Sequence, residues 1–183
     1  MLNLKTLLTN RLDGAKRVAI LAIGSEFRAD DAAGILVGES ILKRNKSKKL
    51  KVFRGETAPE NLTGEIRKFK PSHIIIVDTA DMKKSPGTVL LLKPEELSKD
   101  ITFSTHKMPA EILIEYFIKT MGCMVTFIGI QPLTIKFGTK PSKHVKTSAK
   151  EVASAILGAV SRSKKGTEKK GTPIFTQHST DKK

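Results

Sequence analysis

Apolar residues along this chain fall into two kinds of run. "RVAILAIG" (17–24), "HIIIVD" (73–78) and "CMVTFIGI" (123–130) are short and almost unbroken, the pattern of strands covered on both faces. "KLKVFRG" (49–55) alternates in part and reads as another strand. Pro86 and Gly87 supply a turn before "TVLLLK", so 87–93 reads as an added strand. Between these runs the apolar spacing turns helical. Leu4, Leu7, Leu8 and Leu12 predict a short N-terminal helix. "AAGILVGESILKR" follows the first strand, and "PENLTGEIRKF" reads as a helix opened by Pro59. "AEILIEYFIKTMG" (110–122) predicts an amphipathic helix stopped by glycine, and "SKHVKTSAKEVASAILGAV" a closing helix.

Strands alternating with helices predict an α/β fold. The expected form is a three-layer α/β/α sandwich on a mostly parallel, twisted sheet of about five strands, with helices on both faces. A single domain is expected over 1–160, with 1–16 as a helical extension. From 161 to 183 the composition shifts to Lys, Thr, Gly and Ser, which reads as a basic, disordered tail. Ending the chain at Arg162 is therefore expected to shift the melting temperature by only a few degrees.

Charge adds a second theme. The net charge is +15 over 183 residues, which invites a nucleic-acid reading. Its distribution argues otherwise. "KRNKSKKLK" (43–51) holds six basic residues and no acid, and 163–183 carries a net +4. Both stretches read as solvated surface. With 5% aromatic residues and no Trp there is little to stack on bases, so no nucleic-acid partner is expected. No apolar run approaches the ~20 residues of a membrane span, and the N-terminus lacks the form of a secretory signal. One cysteine, Cys123, excludes an internal disulfide and suits a reducing cytoplasm.

In doubly wound sheets the chemistry gathers beyond the carboxyl ends of the strands. The first strand leads into Asp30 and Asp31, the "HIIIVD" strand ends at Asp78, and "TFSTHKMP" places His106 before the helix that follows Pro109. Two carboxylates and an imidazole suit a borderline divalent metal and leave positions open. The structural alternatives are concrete. One aspartate of the pair is expected to cap the following helix, a task asparagine also performs. Asp78 alone would satisfy turn amides, and His106 alone would be a hydrogen-bonded surface group. Cys123 reads as a core residue and His73 as a partly exposed one. Glu26 and Asp81 are candidates to support the site from its edge, and "GIQP" (129–132) to shape its floor.

Taken in order, these motifs resemble the hydrogenase maturation proteases, most of all the branch that processes the large subunit of hydrogenase 3, the formate-hydrogenlyase type. "IGSEFRADDAAG" is similar to the family's Gly-Asn…Asp-Asp/Glu-Gly-x-Gly opening. "GETAPENL" resembles its Gly-Gly-Thr-Ala/Ser-Pro-Glu-Asn element. "IIIVDTADM" followed by "PG" resembles its central strand and aspartate, "STHKMP" its Thr-His-Asn-Met-Pro, and "FIGIQP" its Leu-Gly-Ile-Gln-Pro. The resemblance implies a nickel-dependent endopeptidase, aspartic-type by assignment, that removes a C-terminal extension from a [NiFe]-hydrogenase large-subunit precursor. It implies that Asp31, Asp78 and His106 are the catalytic and metal-contacting residues, and that the precursor supplies the nickel. Asp30 is then the structural member of the pair, and a monomer is expected. Ala22, Ser25, Ala32 and Glu56 depart from the family pattern, and the loop backbone is expected to differ where glycine is lost.

Two rivals come from other classes. A receiver-like phosphoacceptor module also carries an acid pair and a strand-end aspartate, which bind magnesium. It needs a lysine at the end of the last strand, where this chain reads "GIQP". A basic nucleic-acid-binding protein would show affinity falling steeply with salt.

Overall fold

The structure is a computed structural model that describes residues 4–92, Pro94, the backbone of Thr102 and Phe103, and residues 110–163. The elements in chain order are α1 (Leu4–Arg11), β1 (Val18–Ile23), α2 (Ala33–Leu42), β2 (Leu50–Glu56), α3 (Thr63–Phe69) and β3 (His73–Asp81). They continue with β4 (Val89–Leu92), β5 (Thr102–Phe103), α4 (Ala110–Met121), β6 (Met124–Ile130) and α5 (Lys143–Arg162). Two 3-10 turns, Ala29–Ala32 and Pro59–Leu62, precede α2 and α3. The second shows that Pro59 opens a 3-10 turn, and the α-helix proper starts only at Thr63.

The strands run in the order β2-β1-β3-β6-β4, and the short β5 pairs with the end of β3. The first four are mutually parallel, and β4 closes the sheet antiparallel to β6. Side chains alternate across this sheet as strand geometry requires. Ile20, Ile75, Val77 and Ile128 enter one core with α1, α2 and α5. Leu21, Ile74, Ile76 and Phe127 enter the other with Ile66, Leu113 and Phe117 of α3 and α4. The three-layer α/β/α reading is thus correct. Burial of both faces explains why β1 and β3 read as unbroken apolar runs. Leu8 and Leu12 of the N-terminal segment are fully inside the first core. The last helix runs past 160 to Arg162, so the helix extends into the segment expected as tail, while 164–183 lies outside the described residues. No helix among the described residues is long and apolar enough to cross a membrane.

The order places a switch point in the centre. From β1 the chain goes to β2 on one side and later to β3 on the other, so the crevice lies above the carboxyl ends of β1 and β3. Gly34 of α2 closes its floor. A Cβ there would lie 2.2 Å from both the Ile23 and the Val77 carbonyl oxygens, so only glycine lets the helix approach the strand ends this closely.

At the opposite end of the sheet, His73 corrects an expectation. It is buried, 7% exposed, rather than partly exposed. Its Nδ1 lies 3.0 Å from Ser72 Oγ, and its Nε2 has no hydrogen-bond partner among the described residues. Burial lowers its pKa from the ordinary 6.5, against a smaller opposing backbone contact with Arg11. The unfolded chain therefore takes up this proton first. The stabilising effect of neutral His73 is complete above the unfolded value and is lost as pH falls through and below it. Melting temperature should drop as pH is lowered from about 7 towards about 5, the window of histidine titration. His73→Val should flatten that part of the profile, and an unchanged profile would remove His73 as its source.

Candidate active site

The acid pair is delivered by a tightly wound loop. Gly24 ends β1 at φ 137, and a Cβ there would stand 1.9 Å from the Asp31 carbonyl oxygen. The chain then folds back, with the Ser25 amide donating to that carbonyl at 3.1 Å and the Asp31 amide donating to the Arg28 carbonyl at 3.0 Å. Ala29 takes a left-handed φ of 47 at the start of the 3-10 turn that holds Asp30 and Asp31. The pairing with β2 slips between Ala22 and Ile23, which face Arg54 and Glu56, and Glu56 sits at φ 48. Glu56 thus takes the left-handed region that glycine favours. Its carbonyl accepts from the Gly24 amide at 2.9 Å, which fixes the conformation from both strands. Ala32 has an ordinary φ of −73 and needs no glycine.

Asp30 and Asp31 are both buried, 0% and 2% exposed, yet they face different partners. Asp30 does not cap α2, whose N-cap is Ala32 without a side-chain bond. Its carboxylate reaches across to the segment after β6. Oδ2 accepts from the amides of Leu133 at 2.8 Å and Thr134 at 3.4 Å, and Oδ1 from the Ser142 amide at 2.5 Å. The helix it serves is α5, whose own cap is Ser142, accepting from the Val145 amide. Asp30 is thus a clamp on residues 133–142. Asp31 instead lies beside Arg28, with Nε 3.9 Å from Oδ2. Sequence spacing did not single out Arg28, and its i,i+3 position to Asp31 was the available signal.

Asp78 lies near the carboxyl end of β3, opposite Gly129 of β6 and one residue beyond the last β1–β3 pair. It is 2% exposed, and its Oδ1 accepts from the Thr79 amide at 2.7 Å. Thr79 Oγ1 in turn donates to the Asp30 carbonyl at 2.8 Å. That bond ties the end of β3 to the acid turn, so Asp31 and Asp78 arrive at the same switch point on two bonded elements. His106 lies outside the described residues. The short β5 pairs Thr102 with Asp81 and Phe103 with Ala80, antiparallel to β3. Among the described residues no group of three or more His, Cys, Asp or Glu is arranged to hold a metal ion.

Gln131, in the "GIQP" segment, braces this end of the sheet. Its Oε1 accepts from the Met82 amide at 2.7 Å, and its Nε2 donates to Asp81 Oδ1 at 3.2 Å. Asp81 also bonds Lys83 Nζ at 2.5 Å, and Lys83 first, then Gln131, holds its carboxyl down to about 2. Asp81 therefore stays an anion locked in a turn. Glu26 is taken by Arg54, 2.6 Å away, which also approaches Glu56 at 3.6 Å and Glu39 at 3.9 Å. Cys123 is buried at the amino end of β6, remote along the strand from the site end. Burial pushes its thiol up, and Sγ points to the Phe117 carbonyl, so it is unsuited to act as a thiolate nucleophile.

Known proteins share both sequence and architecture with this chain. The HycI family of hydrogenase maturation proteases matches residues 35–159. The hydrogenase 3 maturation protease of Escherichia coli K12 is 31% identical over 139 residues, 76% of this chain and 88% of that protein. The [NiFe] hydrogenase maturation protease HycI from Thermococcus kodakarensis has a TM-score of 0.78 at 28% identity, covering 85% of this chain and 99% of its own. The endopeptidase HycI from Escherichia coli, solved in solution, has a TM-score of 0.69 at 30% identity, covering 78% and 90%.

Proposed function

The chain belongs to the hydrogenase maturation protease family, and from that premise we propose that it removes the C-terminal extension of a [NiFe]-hydrogenase large-subunit precursor once nickel has been inserted. The observation that carries this reading is the arrival of two buried carboxylates, Asp31 and Asp78, at the switch point of the sheet. Two buried carboxylates brought to one crevice are suited to binding a cation or moving a proton. In this reading His106 joins them.

Nickel enters as part of the substrate. Two hard carboxylates and one imidazole, with no thiolate, make a weak and unselective site on their own. A nickel ion already held by thiolates of the precursor would gain oxygen and nitrogen ligands from Asp31, Asp78 and His106, and those contacts would seat the scissile segment over the crevice. Amide hydrolysis then needs a water deprotonated and the developing oxyanion stabilised. A carboxylate beside the seated segment can take the water's proton. Recognition through the ion makes cleavage a checkpoint on metal insertion.

The test mixes metal-stripped protein with nickel-loaded precursor, or with nickel-free precursor and chelator, and reads intact mass. Loss of the C-terminal peptide is expected only in the first mixture, and His106→Ala should stop it there. Efficient cutting of the nickel-free precursor would overturn recognition through nickel. No cutting of either would overturn the endopeptidase reading itself.

A further inference from the structure

Two loops beside the acid turn expose large apolar side chains. Phe27 is 70% exposed, Leu133 58%, Ile135 37% and Phe137 74%. Among the described residues these are four of the eight exposed large apolar side chains, gathered in two short segments rather than scattered. The segments form one surface. The Gly138 amide donates to the Phe27 carbonyl at 2.8 Å, the Ala29 amide to the Thr139 carbonyl at 3.1 Å, and the Asp30 amide to the Thr134 carbonyl at 3.1 Å. The Asp30 carboxylate fixes the same loop from beneath, at Leu133, Thr134 and Ser142. A loop held by so many main-chain bonds, yet showing its apolar side chains to solvent, has the form of a binding platform. It is also basic. Between Pro132 and Thr147 there are four lysines, Lys136, Lys140, Lys143 and Lys146, all exposed, and no acid. The nearby Glu26 is already engaged by Arg54.

We propose that Phe27, Leu133, Ile135 and Phe137, rimmed by these lysines, dock a segment of the precursor polypeptide that carries apolar side chains next to acidic ones. This rests on the protease reading and deepens it, for a scissile segment held at Asp31 must cross the adjoining loops. A second copy of this chain is a poor occupant, because a symmetric contact would set lysines against lysines. The polypeptide supplies both the apolar contact and the opposite charge.

Kinetics on nickel-loaded precursor test it. For Phe27→Ala/Phe137→Ala, KM should rise about tenfold with kcat within about twofold, since a docking contact acts before the chemistry. Lys136→Glu/Lys140→Glu should raise KM similarly and weaken its dependence on salt. Leu42→Ala, at another exposed apolar position, should behave as wild type. All of these side chains are solvent-facing, so melting temperatures should stay near that of the wild type. Wild-type KM in both double variants, alongside normal wild-type cleavage, overturns the docking surface while leaving the protease reading intact. A wild-type dimer that Phe137→Ala converts to monomer, or vesicles of anionic phospholipid bound through Phe137 with no change in KM, would each overturn it as well.

Discussion

Replacing Asp31 with alanine is expected to abolish cleavage of the nickel-loaded precursor, by at least about a thousandfold, in a protein that stays folded. The neighbouring Arg28 side chain is 38% exposed and can turn to water once its acid is gone, which limits the structural cost. Asp31→Asn keeps the volume and should be nearly as inactive. Asp30→Asn should behave differently from both, and differently from a simple cap replacement. The Asp30 carboxylate accepts amides on both oxygens, Ser142 on one and Leu133 with Thr134 on the other. An amide side chain must turn its own NH2 towards one of those donors. The loss is about 2 kcal/mol or more for the unpaired buried groups, or roughly 5 °C in melting temperature for a chain of this size. Thermal melts and intact-mass cleavage assays on the three variants separate the roles. Normal processing by Asp31→Ala would remove it from the site.

Gly34→Ala should be the most damaging single methyl in the protein. Its Cβ would meet two carbonyl oxygens of the central strands at 2.2 Å, and these belong to backbone that the whole sheet holds in place. We expect a loss of about 4 kcal/mol or more, the range reserved for overpacking a core, visible as a large fall in the urea midpoint or as insoluble protein. Gly64→Ala is the contrast. Nothing lies within 4 Å of a Cβ there, and α3 should gain up to about 1 kcal/mol. Near-equal midpoints for the two variants would show that α2 does not approach the strand ends as described.

What the sequence made legible followed from burial. Strands β1, β3 and β6 are covered on both faces, so composition alone marks them, and Gly122 at φ 60 ends α4 as its sequence position promises. The switch point follows from alternating elements, and with it the end of the sheet where Asp31 and Asp78 are found. Other features depended on contacts that no local pattern contains. Asp30 looked like a helix cap because aspartate before a helix usually is one, but its partners are 103 to 112 residues away. His73 looked partly exposed because it precedes an apolar run, whereas Met124 and Val18 flank it in the sheet. At Glu56 no local pattern announces a left-handed residue, and the bond from the Gly24 amide to its carbonyl joins that turn to the end of β1.

The reach of the Asp30 carboxylate also sets an order of events during synthesis. The acid turn is made early, yet the amides that hold it come from Leu133, Thr134 and Ser142, close to the start of the last helix. Contacts of such sequence separation form late, after the loop between them has closed. On the ribosome, the surroundings of Asp31 stay incomplete until nearly the whole folded portion has emerged. A chain truncated before Leu133 would carry Asp30 and Asp31 in its sequence and lack every amide that clamps the acid turn.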